Sequence, residues 1–272
     1  MPAGPASTGS VVELTPTRVD ELGVATSPLL WLVSLCWPAC GFCMALRPTW
    51  TQLARKLKHE VVVAQWDAGV HPELPTVLGE ANATPTIRAL VPDAETGRPR
   101  LVDYGSGPRT VNALAGFAIG LMPNFAVRID SAAAWAELER RAIVSRTPRL
   151  LAFLGLNASV ATPPLLKALS ASYRERVFIA EVRVHETTPA GAAVAARFGI
   201  SSLPSVLALR AAGPTAEHQA WHHAGPPTFS RLSDFARSVL DTPVDEEAWA
   251  EAEEDLRFEV RSDGAVVAAN DM

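Results

Sequence analysis

A run of apolar residues, Leu29 to Leu35, ends without helical period in Cys36-Trp37-Pro38-Ala39-Cys40-Gly41-Phe42-Cys43, and a helix-forming stretch, Met44 to Ala54, follows at once. A buried strand that feeds a helix through a Cys-x-x-Cys pair is a narrow structural context. The first cysteine of the pair, Cys40, falls at the helix N-terminus. There, unpaired backbone N–H groups and the helix dipole favour a thiolate. The second, Cys43, lies one turn in, where it can open or close a disulfide with Cys40. The chemistry open to such a pair is thiol–disulfide exchange through a mixed disulfide.

The strand–helix order then continues and is written twice. In the first half, a strand at Val61–Gln65 ends at Trp66-Asp67 and a helical stretch is expected over Pro72–Glu80. Ala83 to Leu90 reads as a strand entered through Pro85. Leu101–Tyr104 is a further strand and Arg109–Met122 a last helix. In the second half, Leu150–Leu154 is a strand, Pro164–Arg174 a helix, Val177–Val184 a strand and Pro189–Phe198 a helix. Ile200–Leu209 is a strand entered through Pro204, residues 217–222 make another, and Phe229–Leu240 is the closing helix. The helix proline Pro48 recurs as Pro164, and the strand-entry proline Pro85 as Pro204, at nearly the same offset, which argues for a tandem duplication. Alternating strands and helices imply an α/β architecture with parallel strands joined by helices. A proline entering a central strand removes a ladder donor, so each is either an ordinary trans proline in a loop or a cis bond.

Composition narrows the function. The chain of 272 residues is 48% hydrophobic, enough for one or two cores, and no apolar run approaches the roughly 18 residues of a membrane span. Met1 to Ser10 has neither the charged nor the apolar region of a signal peptide. The net charge of −5 is concentrated in a C-terminal segment: Asp245, Glu246, Glu247, Glu251, Glu253, Glu254, Asp255 and Glu259 face a single Arg257. That segment is read as a solvated acidic tail, and the near-neutral remainder carries no basic stripe for nucleic acid. Three cysteines, two of them in a redox-type pair, do not make a structural disulfide framework.

With these landmarks in place, the first half resembles a catalytic domain of the protein disulfide isomerase family, of thioredoxin fold. The resemblance rests on Cys40-Gly41-Phe42-Cys43 after a strand, on Pro48 and Trp50 in the helix, and on Asp67 at the next strand end. Thr84-Pro85-Thr86 matches the cis-proline loop, and Tyr104-Gly105-Ser106-Gly107-Pro108-Arg109 the turn before the last helix. The second half resembles the family's non-catalytic domains, with no cysteine in Leu154–Val160. The resemblance implies two tandem thioredoxin-like domains, each a mixed central sheet flanked by helices. It divides the chain into a flexible N-terminus (1–10), a catalytic domain (11–125), a cysteine-free domain (126–242) and the acidic tail (243–272).

It also implies roles. Cys40 is the nucleophile and Cys43 the resolving thiol of a Cys40–Cys43 disulfide. Arg109 swings near Cys43 to lower its pKa, and Gly41, Phe42, Thr84 and Pro85 form the substrate-docking surface. No cofactor or metal is implied. The expected partners are client proteins with cysteines, with glutathione or an oxidase as redox partner, and the expected place is the endoplasmic reticulum lumen, in protein folding. Three departures stand out. Phe42 replaces the family's usual histidine, Ala39 its tryptophan, and Ser34 its buried acid. A more reducing couple and slower resolution of mixed disulfides follow.

Two other readings remain open. One is a folding-associated binding module with weak redox activity. The other takes Cys36, Cys40 and Cys43 as Cys-x-x-x-Cys-x-aromatic-Cys, the ligand spacing of radical S-adenosylmethionine enzymes, holding an iron–sulfur cluster. Cys36 itself reads as a small hydrophobe packed at a strand end, or as a third thiol that traps Cys40. Asn82-Ala83-Thr84 and Asn157-Ala158-Ser159 are glycosylation sequons, and His218, His222 and His223 on one short strand are expected to face solvent.

Overall fold

The computed structural model describes residues 8–93, 96–157, 159–211, 218–243, 249, 259–260 and 266–267. The acidic segment between Asp245 and Glu259 falls almost wholly outside them. The chain divides into two compact units, Met1–Phe125 with Thr162–Ser172, and Ala126–Ala161 with Tyr173–Met272.

In the first unit five strands, β1 (Val12–Leu14), β2 (Trp31–Cys36), β3 (Val62–Asp67), β4 (Thr86–Val91) and β5 (Arg100–Asp103), form one sheet in the order β1-β3-β2-β4-β5. β1 and β2 both run parallel to β3, whereas β4 runs antiparallel to β2 and β5 antiparallel to β4. β2 sits at the centre, covered on both faces, which is why Trp31-Leu32-Val33-Ser34-Leu35 reads as a continuous apolar run rather than an alternating one. Three helices belong to the unit's first stretch: α1 (Pro16–Glu21), α2 (Gly41–Lys56) and α3 (Val111–Leu121). Thr15 caps α1, accepting from Arg18 N, with Pro16 in the first turn where its missing N–H costs nothing. Thr110 caps α3 in the same way, accepting from Ala113 N. Trp50 pins α2 to the sheet by donating Nε1–H to the Ala64 carbonyl at 3.0 Å.

The second unit repeats the topology. β6 (Val127–Ile129), β7 (Arg149–Leu154), β8 (Phe178–Arg183), β9 (Ser205–Ala211) and β10 (His218–His222) stand in the order β10-β9-β7-β8-β6. The pairings are again parallel for β6 and β7 against β8, and antiparallel for β9 and β10. α4 (Ala132–Val144), α6 (Pro189–Arg197) and α7 (Phe229–Leu240) belong to this unit, while α5 (Pro164–Ser172) belongs with the first. The fold is thus α/β, with two mixed five-stranded sheets of one topology, each a thioredoxin-like fold.

The sequence expectation needs three corrections and leaves one choice for the structure to make. Pro72–Glu80 is not a helix: only Thr76–Leu78 makes a 3-10 turn, because Pro72 and Pro75 interrupt the run and Gly79 adopts φ 68°. β1 with α1, and β6 with α4, went unread. The choice left open at the strand-entry prolines falls on the cis bond for both Pro85, as its match to the cis-proline loop implies, and Pro204. Finally, His218 does not face solvent. Its side chain is 5% exposed, with Nδ1 3.1 Å from Arg149 Nη2 and Nε2 3.2 Å from Glu139 Oε1.

Candidate active site

The site lies at the C-terminal end of β2. After Cys36, residues Trp37 to Ala39 turn the chain, with Cys40 N donating to the Trp37 carbonyl, and α2 starts at Gly41. Cys40 is the N-cap: its backbone is extended, its carbonyl accepts from Met44 N, and its side chain makes no capping bond. The sulfur is therefore left over the open end of the helix. Its pKa is lowered from the ordinary thiol value, chiefly by the backbone N–H of Cys43, which outweighs burial, with Thr84, the Cys43 thiol and the Phe42 N–H adding to the lowering. In the thiol form Sγ lies 3.7 Å from the Thr84 carbonyl.

Cys43, one turn on, is 3% exposed. Burial pushes its pKa up, opposed by hydrogen bonds from the Cys36 thiol and the Trp37 backbone. The two cysteines thus divide the roles: a partly exposed sulfur that favours the thiolate, and a buried one that favours the thiol. All three cysteines of the chain are present as thiols.

Thr84 and Pro85 reach the same place from the loop before β4. Arg109, which the family resemblance sends toward Cys43, is exposed and donates Nη2–H to the Pro85 carbonyl at 3.4 Å. Gly41 has no φ requirement, and a Cβ there would meet open space. Phe42 is 74% exposed.

Two features escaped the sequence. The first is an apolar rim. Beside Phe42, the large side chains of Trp37, Met44 and Val70 are exposed, and Gly69 approaches so closely that a Cβ there would meet Trp37 and Pro38. Clustered exposed apolar groups of this kind mark interaction surfaces. The second is a carboxylate. Ser34, at the place of the family's buried acid, is 2% exposed. Beneath Cys43 lies a cavity of about 20 Å³, room for about one water. Ser34, Cys36, Gln65 and Asp67 line it together with Cys43. Asp67 stands opposite Cys36 in the β2–β3 register, and its Oδ1 accepts from Gly69 N at 2.8 Å and Val70 N at 3.1 Å. Register alone brings it there, so a search near Ser34 in sequence could not find it.

In the second unit the loop after β7 carries no cysteine, and Arg183 Nη1 donates to the Asn157 carbonyl at 2.5 Å there. The iron–sulfur reading needed a longer barrel downstream of the three cysteines; the chain forms two five-stranded sheets instead.

A family model described as thioredoxin matches residues 10–118. Human protein disulfide-isomerase A6 is 35% identical over 117 residues, 43% of this chain and 25% of its own. The Caenorhabditis elegans protein disulfide-isomerase A6 homolog is 34% identical over 108 residues, 39% of this chain and 23% of its own. The matched segment thus spans about a quarter of the length of these relatives. Among solved structures, ERdj5 form II aligns at a TM-score of 0.49 and 18% identity, covering 85% of this chain and 30% of that one.

Proposed function

We propose that this chain, which belongs to the protein disulfide isomerase family of the thioredoxin superfamily, is a thiol–disulfide oxidoreductase and disulfide isomerase acting on cysteines of client proteins. The observation that carries the reading is the division of character between Cys40 and Cys43: Cys40 caps α2 with its sulfur left free at the helix mouth, where a backbone N–H lowers its pKa, and Cys43 is 3% exposed one turn on, where burial raises its pKa. The Cys40 thiolate attacks one sulfur of a client disulfide, and the other client sulfur leaves as a thiolate. Cys43 loses its proton and attacks Cys40 Sγ of the mixed disulfide. The client's second thiolate departs and the Cys40–Cys43 disulfide remains. Run in reverse, the same steps oxidise a client dithiol.

The Thr84 carbonyl lies 3.7 Å from the reacting sulfur, and Pro85 follows it across a cis peptide bond, which supports this loop as the dock for an extended client segment. Trp37, Phe42, Met44 and Val70 give that segment an apolar rim. Asp67, across the water-sized cavity, serves as the acceptor for the Cys43 proton in place of the acid that Ser34 replaces. Arg109, anchored on the Pro85 carbonyl, is placed to move toward Cys43 during resolution. The second unit assists client binding, glutathione or an oxidase recharges the pair, and the endoplasmic reticulum lumen is the compartment the family resemblance points to.

The test is the redox equilibrium of the wild-type chain in glutathione buffers, read by thiol alkylation and mass spectrometry. A reversible two-electron couple between about −150 and −270 mV fits a working exchange catalyst. A pair that never closes leaves a binding module, the reading that the apolar rim and the absence of an acid at Ser34 favour. Client retention by a Cys40→Ser, Cys43→Ser double variant would then be the remaining activity.

A further inference from the structure

The exchange reaction leaves one sulfur unused. Cys36 closes β2, half-buried, and it keeps company with Cys43 rather than with the nucleophile. Both thiols line the same water-sized cavity. Cys40 is not part of that lining, and burial, followed by the neighbouring Cys43, pushes the Cys36 thiol up. In return, Cys36 is the largest influence that opposes the burial of Cys43. Cys43 thus shares a cavity with Cys36, at the end of β2, and the first turn of α2 with Cys40. The shared cavity makes Cys43, and not Cys40, the partner that the structure favours for Cys36.

We propose that Cys36 is a second resolving thiol, which draws Cys43 into a Cys36–Cys43 disulfide and so returns Cys40 to its free form while the domain stays oxidised. The proposal rests on the Cys40–Cys43 couple described above. Cys36 gives up its proton into the water-sized cavity, which Asp67 also lines. Its sulfur attacks Cys43 Sγ, the Cys36–Cys43 bond forms, and the Cys40–Cys43 bond breaks with the electron pair leaving on Cys40. One disulfide and one thiol group are present before and after, so no outside oxidant or reductant enters. Direction follows from leaving-group strength. The sulfur whose thiolate is better stabilised leaves faster and is the more stable product, and here that is Cys40 at the helix N-terminus. Burial of Cys36 keeps its thiolate scarce and the exchange slow.

The consequence is functional. An enzyme whose only disulfide is Cys40–Cys43 has no nucleophile when oxidised. With the disulfide moved inward, the oxidised domain still presents a Cys40 thiolate on the apolar rim, and Cys43 is no longer available to eject a client bound to it. Such a domain holds and isomerises clients instead of merely oxidising them.

The experiment equilibrates the full-length chain in graded glutathione buffers, quenches with acid, alkylates free thiols and places the label by fragment-ion mass spectrometry. In the singly disulfide-bonded wild type, the label is expected on Cys40 in more than about one molecule in ten. Cys40→Ser is expected to lose its two remaining thiols together, without a glutathione adduct. Label confined to Cys36 in the oxidised wild type overturns the proposal whatever the variant does, and needs no substitution that could impair folding. Cys36→Ala separates the two levels. If it still forms Cys40–Cys43, the underlying couple stands even where the inward exchange fails; if it cannot oxidise at all, both fall.

Discussion

Cys40 caps α2 with its backbone and not its side chain, so its sulfur is free to lie over the N–H groups of Phe42 and Cys43. A thiolate stabilised this way forms at lower pH than in an ordinary cysteine. Alkylation of the reduced chain by iodoacetamide should therefore rise with pH to a midpoint below about 8.5, the usual thiol value, with the first equivalent on Cys40. A midpoint at or above that value, or first labelling on Cys43, would contradict the assigned roles. Position 42 is the natural place to tune the pair. Phe42 is exposed in the first turn and offers the sulfur no charge. Phe42→His places a partly protonated ring there and should lower the Cys40 pKa. Each unit of lowering stabilises the reduced thiolate by about 1.4 kcal/mol, or about 30 mV in a two-electron couple. The variant should thus be more oxidising by about 20–60 mV in the same glutathione titration; a couple that stays put or becomes more reducing would show that Phe42 is not what sets the potential. The thiol pair and its two roles were legible because they depend on residues adjacent in sequence. The cavity carboxylate Asp67 and the Cys36–Cys43 pairing were not, because strand register and a helix turn create them.

Elements differed in how far the sequence exposed them for an equally physical reason. β2, β3, β7 and β8 are long apolar runs between turn signals, and their places were readable. β1 and β6 are three residues each, Val12-Glu13-Leu14 and Val127-Arg128-Ile129, too short to carry a period. α4 carries a buried stripe, Trp135, Leu138 and Ala142, behind its Ser131 cap, and follows β6 too closely to be read without that strand. His218 misled for another reason: its position on an edge strand suggests solvent, but Arg149 and Glu139 reach over it from other elements. The approach of α6 to β8 makes a sharper test of the second sheet. A Cβ on Gly191 would lie 1.7 Å from the Arg183 carbonyl oxygen, a backbone atom that cannot step aside. Gly191→Ala should cost about 1–3 kcal/mol or more through overpacking, seen as a fall of several degrees in Tm. Gly41→Ala is the control, since nothing lies within 4 Å of its Cβ and alanine is the better helix former. It should leave Tm unchanged or slightly raised, and equal losses for both variants would refute the close approach.

At the scale of the whole molecule, the compact units do not follow the order of the chain. Residues 1–125 contain the first sheet, the thiol pair and the segment matched by the thioredoxin family model, and they would be the obvious fragment to isolate. Yet Thr162–Ser172 belongs to the same unit. Ala171 of α5 is 4% exposed and part of the core cluster built on Leu14, Val19, Trp31 and Trp66. Around it the polar ends are joined as well. Phe125 N donates to Ser170 Oγ at 3.2 Å, Lys167 Nζ to the Ile119 carbonyl at 3.4 Å, and Asn124 Nδ2 to Thr162 Oγ1 at 3.0 Å. A fragment ending at 125 loses all of these and uncovers apolar surface at about 25 cal/mol per Å². It should melt several degrees below the transition that the first unit shows in the full chain, and bind more of a hydrophobic dye. Its local thiol chemistry depends on α2 and the Thr84–Pro85 loop, so the Cys40 alkylation midpoint should stay where it is in the intact protein. A fragment as stable as the full chain would mean that α5 contributes nothing to the first unit. A shifted midpoint would mean instead that the site itself depends on residues beyond 125.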